Sequence, residues 1–302
     1  MKIKIPDISK QIHKEDTLSI LESKYSTLGS MWVSFQLEWM VGIYSSFKDH
    51  NKFLILIYLI NKTLDFYSKN FIKLSFDEFY GKDLVEIGRF NIAEIATKLN
   101  IPKESARRKV CELEAEGVIR KNKKTIVIDR SKFYHTKPEN SIKKISRFLA
   151  TLSEMCMEEK ILSKKITSEE IEITIKNNFS YIWKIYYEFQ IPMMIKYKKI
   201  FNDLECFNIF GACVVNQHLF AKKISVNYMH RNDFLNSVYT AHKMQGVNAM
   251  SISDITSIPR ATVIRKLKNL VSRNFLKIDE KKHYRLTGNL KKTLNRLQKT
   301  VL

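Results

Sequence analysis

Three consecutive cations, Arg107, Arg108 and Lys109, follow Lys103 and Ser105 in the stretch "IPKESARRKVCELEAEGVI" at 101–119. The stretch "IPRATVIRKLKNLVSRNFL" at 258–276 sets Arg260, Thr262, Arg265 and Lys266 at nearly the same spacing. Guanidinium and ammonium groups bind phosphate oxygens and the acceptor edge of guanine, and a neighbouring hydroxyl hydrogen-bonds a phosphate. That is the chemistry of holding a polyanion. It makes and breaks no covalent bond.

For those side chains to share a face, each stretch must be a helix. Proline opens each one, in a first turn where its missing N–H has no partner to lose. Ala106, Val110 and Leu113 fall at i, i+4 and i+7 and should face inward, as should Val263, Leu267 and Leu270. Gly117 ends the first helix as a C′ glycine does. Asn274 stands in that place in the second, and Asn also tolerates the left-handed conformation. Before the first basic helix, Ile92, Ile95, Ala96 and Leu99 mark the apolar face of a supporting helix, separated by a short break at "NIP". Ile252 to Pro259 is three residues shorter than Ile92 to Pro102, so the second supporting helix is expected to be clipped or recast.

After Gly117 come two β-prone runs at 118–121 and 125–129, around a turn that carries Lys123 and Lys124. The second copy offers runs at 275–278 and 283–286 around "DEKK", with Lys281 and Lys282 at the tip. Helix, tight turn, basic helix and basic hairpin form the order of a winged helix-turn-helix. A helix fits the major groove of B-DNA, and a lysine-tipped hairpin lies along the adjacent backbone or minor groove. The candidate contacts to double-stranded DNA are therefore Lys103, Ser105, Arg107, Arg108, Lys109, Lys123 and Lys124 in the first copy. In the second they are Arg260, Thr262, Arg265, Lys266, Lys281 and Lys282.

The repetition extends beyond these phrases. At an offset of 157, Ile101, Pro102, Arg108, Lys109 and Leu113 match Ile258, Pro259, Arg265, Lys266 and Leu270. At an offset of 154, Phe35, Gln36, Met40, Phe47, Asp49, Phe53 and Ile55 match Phe189, Gln190, Met194, Phe201, Asp203, Phe207 and Ile209. Two blocks in one order at nearly one spacing read as an internal duplication. The expected halves are 1–150, with a helix-turn-helix at 91–117 and a wing at 118–129, and 151–302, with a helix-turn-helix at 251–274 and a wing at 275–287. The expected fold is mainly α with small β-hairpin wings: two winged-helix domains in tandem, related by a pseudo-twofold axis. Trp32, Phe35 and Trp39 recur at helical spacing, as do Ile182, Tyr186 and Phe189, and should pack the halves together.

The residues "NIAEIATKLNIPKESARRKVCELEAEGVI" resemble the helix-turn-helix of bacterial winged-helix transcriptional regulators of the MarR-like and related groups. Ser105, Arg108, Val110, Leu113 and Gly117 fall where that pattern has its hydroxyl, arginine, two apolar positions and terminal glycine. The resemblance covers about forty residues per copy and implies DNA binding through the second helix and the wing. A plasmid or phage replication initiator with tandem winged helices is an alternative, as is a winged-helix protein-docking module.

Composition agrees with a mainly helical chain, since only 8 glycines and 5 prolines punctuate 302 residues. The net charge of +21 favours an anionic partner. The chain is also rich in Lys, Ile and Asn, so the placement of charge says more than its total. Residues 257–302 carry thirteen Lys and Arg against Asp279 and Glu280 alone, which favours DNA over docking.

Cys111, Cys156, Cys206 and Cys213 show no CxxC spacing, and free thiols in a cytoplasmic protein are expected. Asp7, Lys10 and Glu15 interrupt any N-terminal apolar run, and "FLILIYLI" at 53–60 is far too short to span a membrane. No membrane partner, metal or cofactor is expected. His218, His230 and His242 lack ligand spacing, and Gly81-Lys82 lacks the rest of a phosphate loop. Ser45 and Lys48 match only the short S-x-x-K pattern, and Glu169, Glu170 and Glu172 suit the start of a helix. No catalytic constellation emerges, so an enzyme is not expected.

Overall fold

Asp49 and Asp203 show how the sequence builds the frame. Each lies two residues past the end of a 23-residue helix, α2 (Tyr25–Phe47) or α9 (Phe179–Phe201). Between them the chain turns through a left-handed residue, Lys48 at φ 52° or Asn202 at φ 70°. The aspartate then caps the next helix. Asp49 accepts from the N–H groups of Asn51 and Lys52 at the head of α3 (His50–Lys69), and Asp203 accepts from Cys206 N–H at the head of α10 (Leu204–Ile224). Such corners set two long helices side by side.

The computed structural model describes residues 12–121, 125–225, 228–240 and 246–287. Within them α1 (Lys14–Ser23) precedes α2, and α3 leads through α4 (Phe76–Tyr80) and β1 (Leu84–Ile87) to α5 (Ile92–Leu99). Next come α6 (Lys103–Ala115), β2 (Ile119–Lys121), β3 (Ile126–Asp129) and a 3-10 helix, Arg130–Thr136. After α7 (Glu139–Glu158) and α8 (Ser168–Asn177) the chain runs through α9 and α10 to α11 (Arg231–Thr240). It then forms α12 (Ala249–Thr256), α13 (Arg260–Ser272), β4 (Leu276–Ile278) and β5 (Tyr284–Leu286). The fold is mainly helical, with small antiparallel sheets.

Equivalent elements recur at a steady offset. α1, α2 and the start of α3 lie 154 residues before α8, α9 and the start of α10; α5 and α6 lie 157 before α12 and α13. The two sets exchange partners: α3 packs most extensively on α9, and α10 on α2. The run "FLILIYLI" is therefore buried within α3 except at the half-buried Tyr58. Trp32 meets Phe189 at 5.6 Å between ring centroids and Trp39 meets Tyr186 at 5.9 Å, so the aromatic stripes join α2 to α9. Among the described residues no helix is long and apolar enough to cross a membrane.

The first sheet has three strands in the order β1-β3-β2, and the second only β4-β5. In place of β1 the second set has one bridge, Val247 to Tyr284. This difference corrects the expectation of a clipped supporting helix. α5 and α12 are equally long, 8 residues each, with Ile95 matched by Ile252 and Ile92 by Ala249. The three missing residues fall earlier: Ile87 stands four residues before the N-cap Asn91, and Val247 one before the N-cap Asn248. The deletion shortens a strand connection and leaves the supporting helix whole.

Candidate nucleic-acid interface

α5 and α12 begin on an asparagine whose side chain accepts from the backbone, Asn91 from Ala93 N–H and Asn248 from Ser251 N–H. Both end on a left-handed residue, Asn100 at φ 49° and Ser257 at φ 57°. A buried isoleucine, Ile101 or Ile258, then plugs the corner, and Pro102 or Pro259 takes the N-cap of the next helix at φ −53°. Ala106, Val110 and Leu113, like Val263, Leu267 and Leu270, are all buried. They seat α6 and α13 on the frame.

Each basic helix stops in the same way. Gly117 at φ 72° and Asn274 at φ 59° are left-handed. Val118 N–H reaches back to Leu113 O at 2.9 Å, and Phe275 N–H to Leu270 O at 2.9 Å, the wrap of a Schellman stop. Asparagine therefore serves where the first copy has glycine.

Lys109 and Lys266 are corrections to the expected interface. Lys109 Nζ lies 2.8 Å from Asp49 Oδ2 and 2.9 Å from Glu112 Oε2, with 15% of its side chain exposed. Lys266 pairs with Asp203 and lies 3.3 Å from Glu205 Oε2, with 12% exposed. Burial alone would lower the pKa of each ammonium, but the hydrogen bonds and charge of these carboxylates outweigh it and hold both above the ordinary lysine value. These lysines pin α6 and α13 to the capped ends of α3 and α10. They do not belong to an outer reading face.

Lys103, Arg107, Arg108, Arg260 and Arg265 are exposed, with Ser105 and Thr262 half-buried beside them. The two faces differ in how their charge is spent. Arg107 forms a two-point pair with Glu104 at 2.6 and 2.9 Å, and Arg108 lies 3.9 Å from Glu112. Among the described residues no carboxylate lies within ion-pair distance of Arg260, Arg265 or Lys268. Lys268 was missed by the sequence reading. It is exposed one turn beyond Arg265, where its counterpart in α6 is Cys111, and following the arginine face one turn further would have found it. α6 holds four cations against Glu104, Glu112 and Glu114, whereas α13 holds four cations and no acid.

In the first hairpin Arg120 pairs with Asp129 and Lys121 with Glu114, tying the strands to each other and to α6. Lys123 and Lys124 lie outside the described residues. In the second hairpin Lys281 and Lys282 are exposed at the turn. Asp279 is engaged by His283 N–H at 2.9 Å and by Arg285 Nη2 at 3.3 Å.

The four cysteines are free, with only Cys111 exposed. Among the described residues no group of His, Cys, Asp and Glu is arranged to hold a metal. His218 is buried inside α10, His230 lies 4.0 Å from Glu22, and His242 falls outside the described residues. No protein-family model matches the chain, and neither the curated proteins nor the solved structures yield a match.

Proposed function

We propose that the chain is a cytoplasmic, sequence-specific double-stranded DNA-binding protein, acting as a transcriptional regulator. On this reading its halves are tandem winged-helix units related by a pseudo-twofold axis, with α6 and α13 as reading helices and the hairpins as wings. The observation that carries the reading is the uncompensated cation face of α13, Arg260, Arg265 and Lys268, on a helix seated by Val263, Leu267 and Leu270. A protein surface for docking has little reason to leave three neighbouring cations without a counter-charge, whereas a phosphate backbone supplies it.

One chain then acts as its own dimer. The helices have diverged: Arg107 in α6 is matched by Ile264 in α13, and Glu104 by Ala261. Arginine seeks an acceptor such as guanine N7 or O6, whereas isoleucine offers only apolar contact, as to a thymine methyl. The target is therefore an asymmetric site with unlike half-sites about one helical turn (~10 bp) apart.

Arg265→Ala and Arg108→Ala should each weaken binding to the preferred site by about 1–3 kcal/mol, while both variants fold normally. Fluorescence anisotropy with a labelled duplex measures the first effect, and thermal unfolding checks the second. Wild-type affinity in both variants would place the contact face elsewhere.

A further inference from the structure

The duplication also repeats a cavity. One of about 380 Å³ opens among α2, α3, α4, α7, α9 and the 3-10 helix after β3; another of about 280 Å³ opens among α1, α2, α7, α9 and α10. Phe35, Phe47 and Phe53 of the first are matched at the offset of 154 by Phe189, Phe201 and Phe207 of the second. Trp183 of the first is matched by Gly29 of the second. These are one cleft present twice, with different chemistry.

The second cavity is lined almost entirely by apolar and aromatic groups. The first contains Arg130, a residue the sequence reading did not single out. The residue is 5% exposed and its guanidinium centre lies 4.6 Å from the centroids of both the Phe79 and Tyr80 rings. Nη2 donates to the carbonyls of Phe79 and Lys82, while Nε and Nη1 have no hydrogen-bond partner. Among the described residues no carboxylate forms an ion pair with it. An arginine cannot shed its proton to escape such a place. A buried charge without a counter-ion is costly, and an incoming anion relieves it.

Around the same cavity stand three cations, Arg130, Lys137 and Lys144, against two carboxylates, Glu38 and Asp83. Among the described lining residues cations thus outnumber carboxylates by one. Trp39 and Trp183 supply flat apolar walls, and the volume suits a small organic molecule.

We propose that the first cavity binds a monocarboxylate with a flat apolar body, its carboxylate on Arg130 and its body between the tryptophans. Arg130 directly follows β3, and its N–H donates to Asp83 O beside β1 at 2.8 Å. Phe53 and Leu56 bring in α3, so the ligand touches a helix that packs directly on α6. This binding is independent of whether the chain binds DNA.

Calorimetric titration of the full chain with 2-naphthoate and its uncharged carboxamide tests the proposal. The carboxylate should bind at least roughly tenfold more tightly, the worth of one charge-assisted contact. Arg130→Met should erase that preference, but loss of the buried side chain also threatens folding. Gly42→Leu provides the second test: Gly42 lines the cavity, an added Cβ there meets nothing within 4 Å, and leucine suits a helix. That variant should fold and lose naphthoate binding. Equal binding of acid and amide, no binding of either at millimolar concentration, or full binding by Gly42→Leu would each overturn the proposal. So would inorganic phosphate competing as well as naphthoate, which would leave an adventitious anion only.

Discussion

The affinity of the chain for duplex DNA should fall by about 10³–10⁵ between 50 and 200 mM salt, the loss for neutralising roughly six to ten phosphates. Exposed cations on α6, α13 and the second hairpin provide that many contacts when both halves engage. The share of each helix is separable. Replacing Arg260, Arg265 and Lys268 together by alanine removes about three phosphate-facing charges. It should reduce the slope of log affinity against log salt by about 2.7, at ~0.9 for each contact. The matching change of Lys103, Arg107 and Arg108 should reduce it less, because Arg107 must first leave Glu104, to which it is held at 2.6 Å. Anisotropy titrations at stepped salt measure both slopes. A slope unchanged by the α13 substitutions would mean that this face does not meet the backbone.

Stability should fall by about 4 kcal/mol between pH 8 and pH 5, before most carboxylates protonate. The cause is a pair of buried histidines. His50 and His218 are 5% and 2% exposed, and burial lowers each pKa from 6.5 to about 4. The folded chain therefore refuses protons that the unfolded chain accepts below pH 6.5. Their stabilising effect is complete above that value and is lost as the pH drops toward 4, each histidine contributing about 2 kcal/mol of the fall by pH 5. His218 Nδ1 faces Val214 O at 3.0 Å while Nε2 has no partner, and His50 Nε2 lies 3.3 Å from Asn208 Nδ2. Among the described residues no anion acts on His218, and at His50 the charges of Asp49 and Asp203 offset burial only in part. Denaturant unfolding at the two pH values measures the fall, and His218→Gln should roughly halve it. A stability curve flat from pH 8 to pH 5 would contradict the burial argument.

Local pattern made much of this architecture legible in the sequence. The inward positions of α6 and α13 follow from a 3.6-residue period, and their stops from Gly117 and Asn274, because such features depend on neighbours along the chain. What was not legible depended on distant partners. Lys109 and Lys266 stand in the basic run beside Arg108 and Arg265, yet turn toward Asp49 and Asp203, about sixty residues upstream. Nothing within the helix distinguishes such a lysine from its exposed neighbours. β1 was missed because "LVEI" has only four residues and gains its place by pairing with β3. Arg130 was missed because its meaning lies in a cavity built from six separate elements.

Selection of bound sequences from a pool of random duplex DNA, with the full chain as bait, tests the central claim most directly. The reading of α6 and α13 as unlike partners in one molecule predicts enrichment of an asymmetric site, its two half-sites different and centred ~10 bp apart. Enrichment of a perfect palindrome, or of no sequence at all, would contradict it.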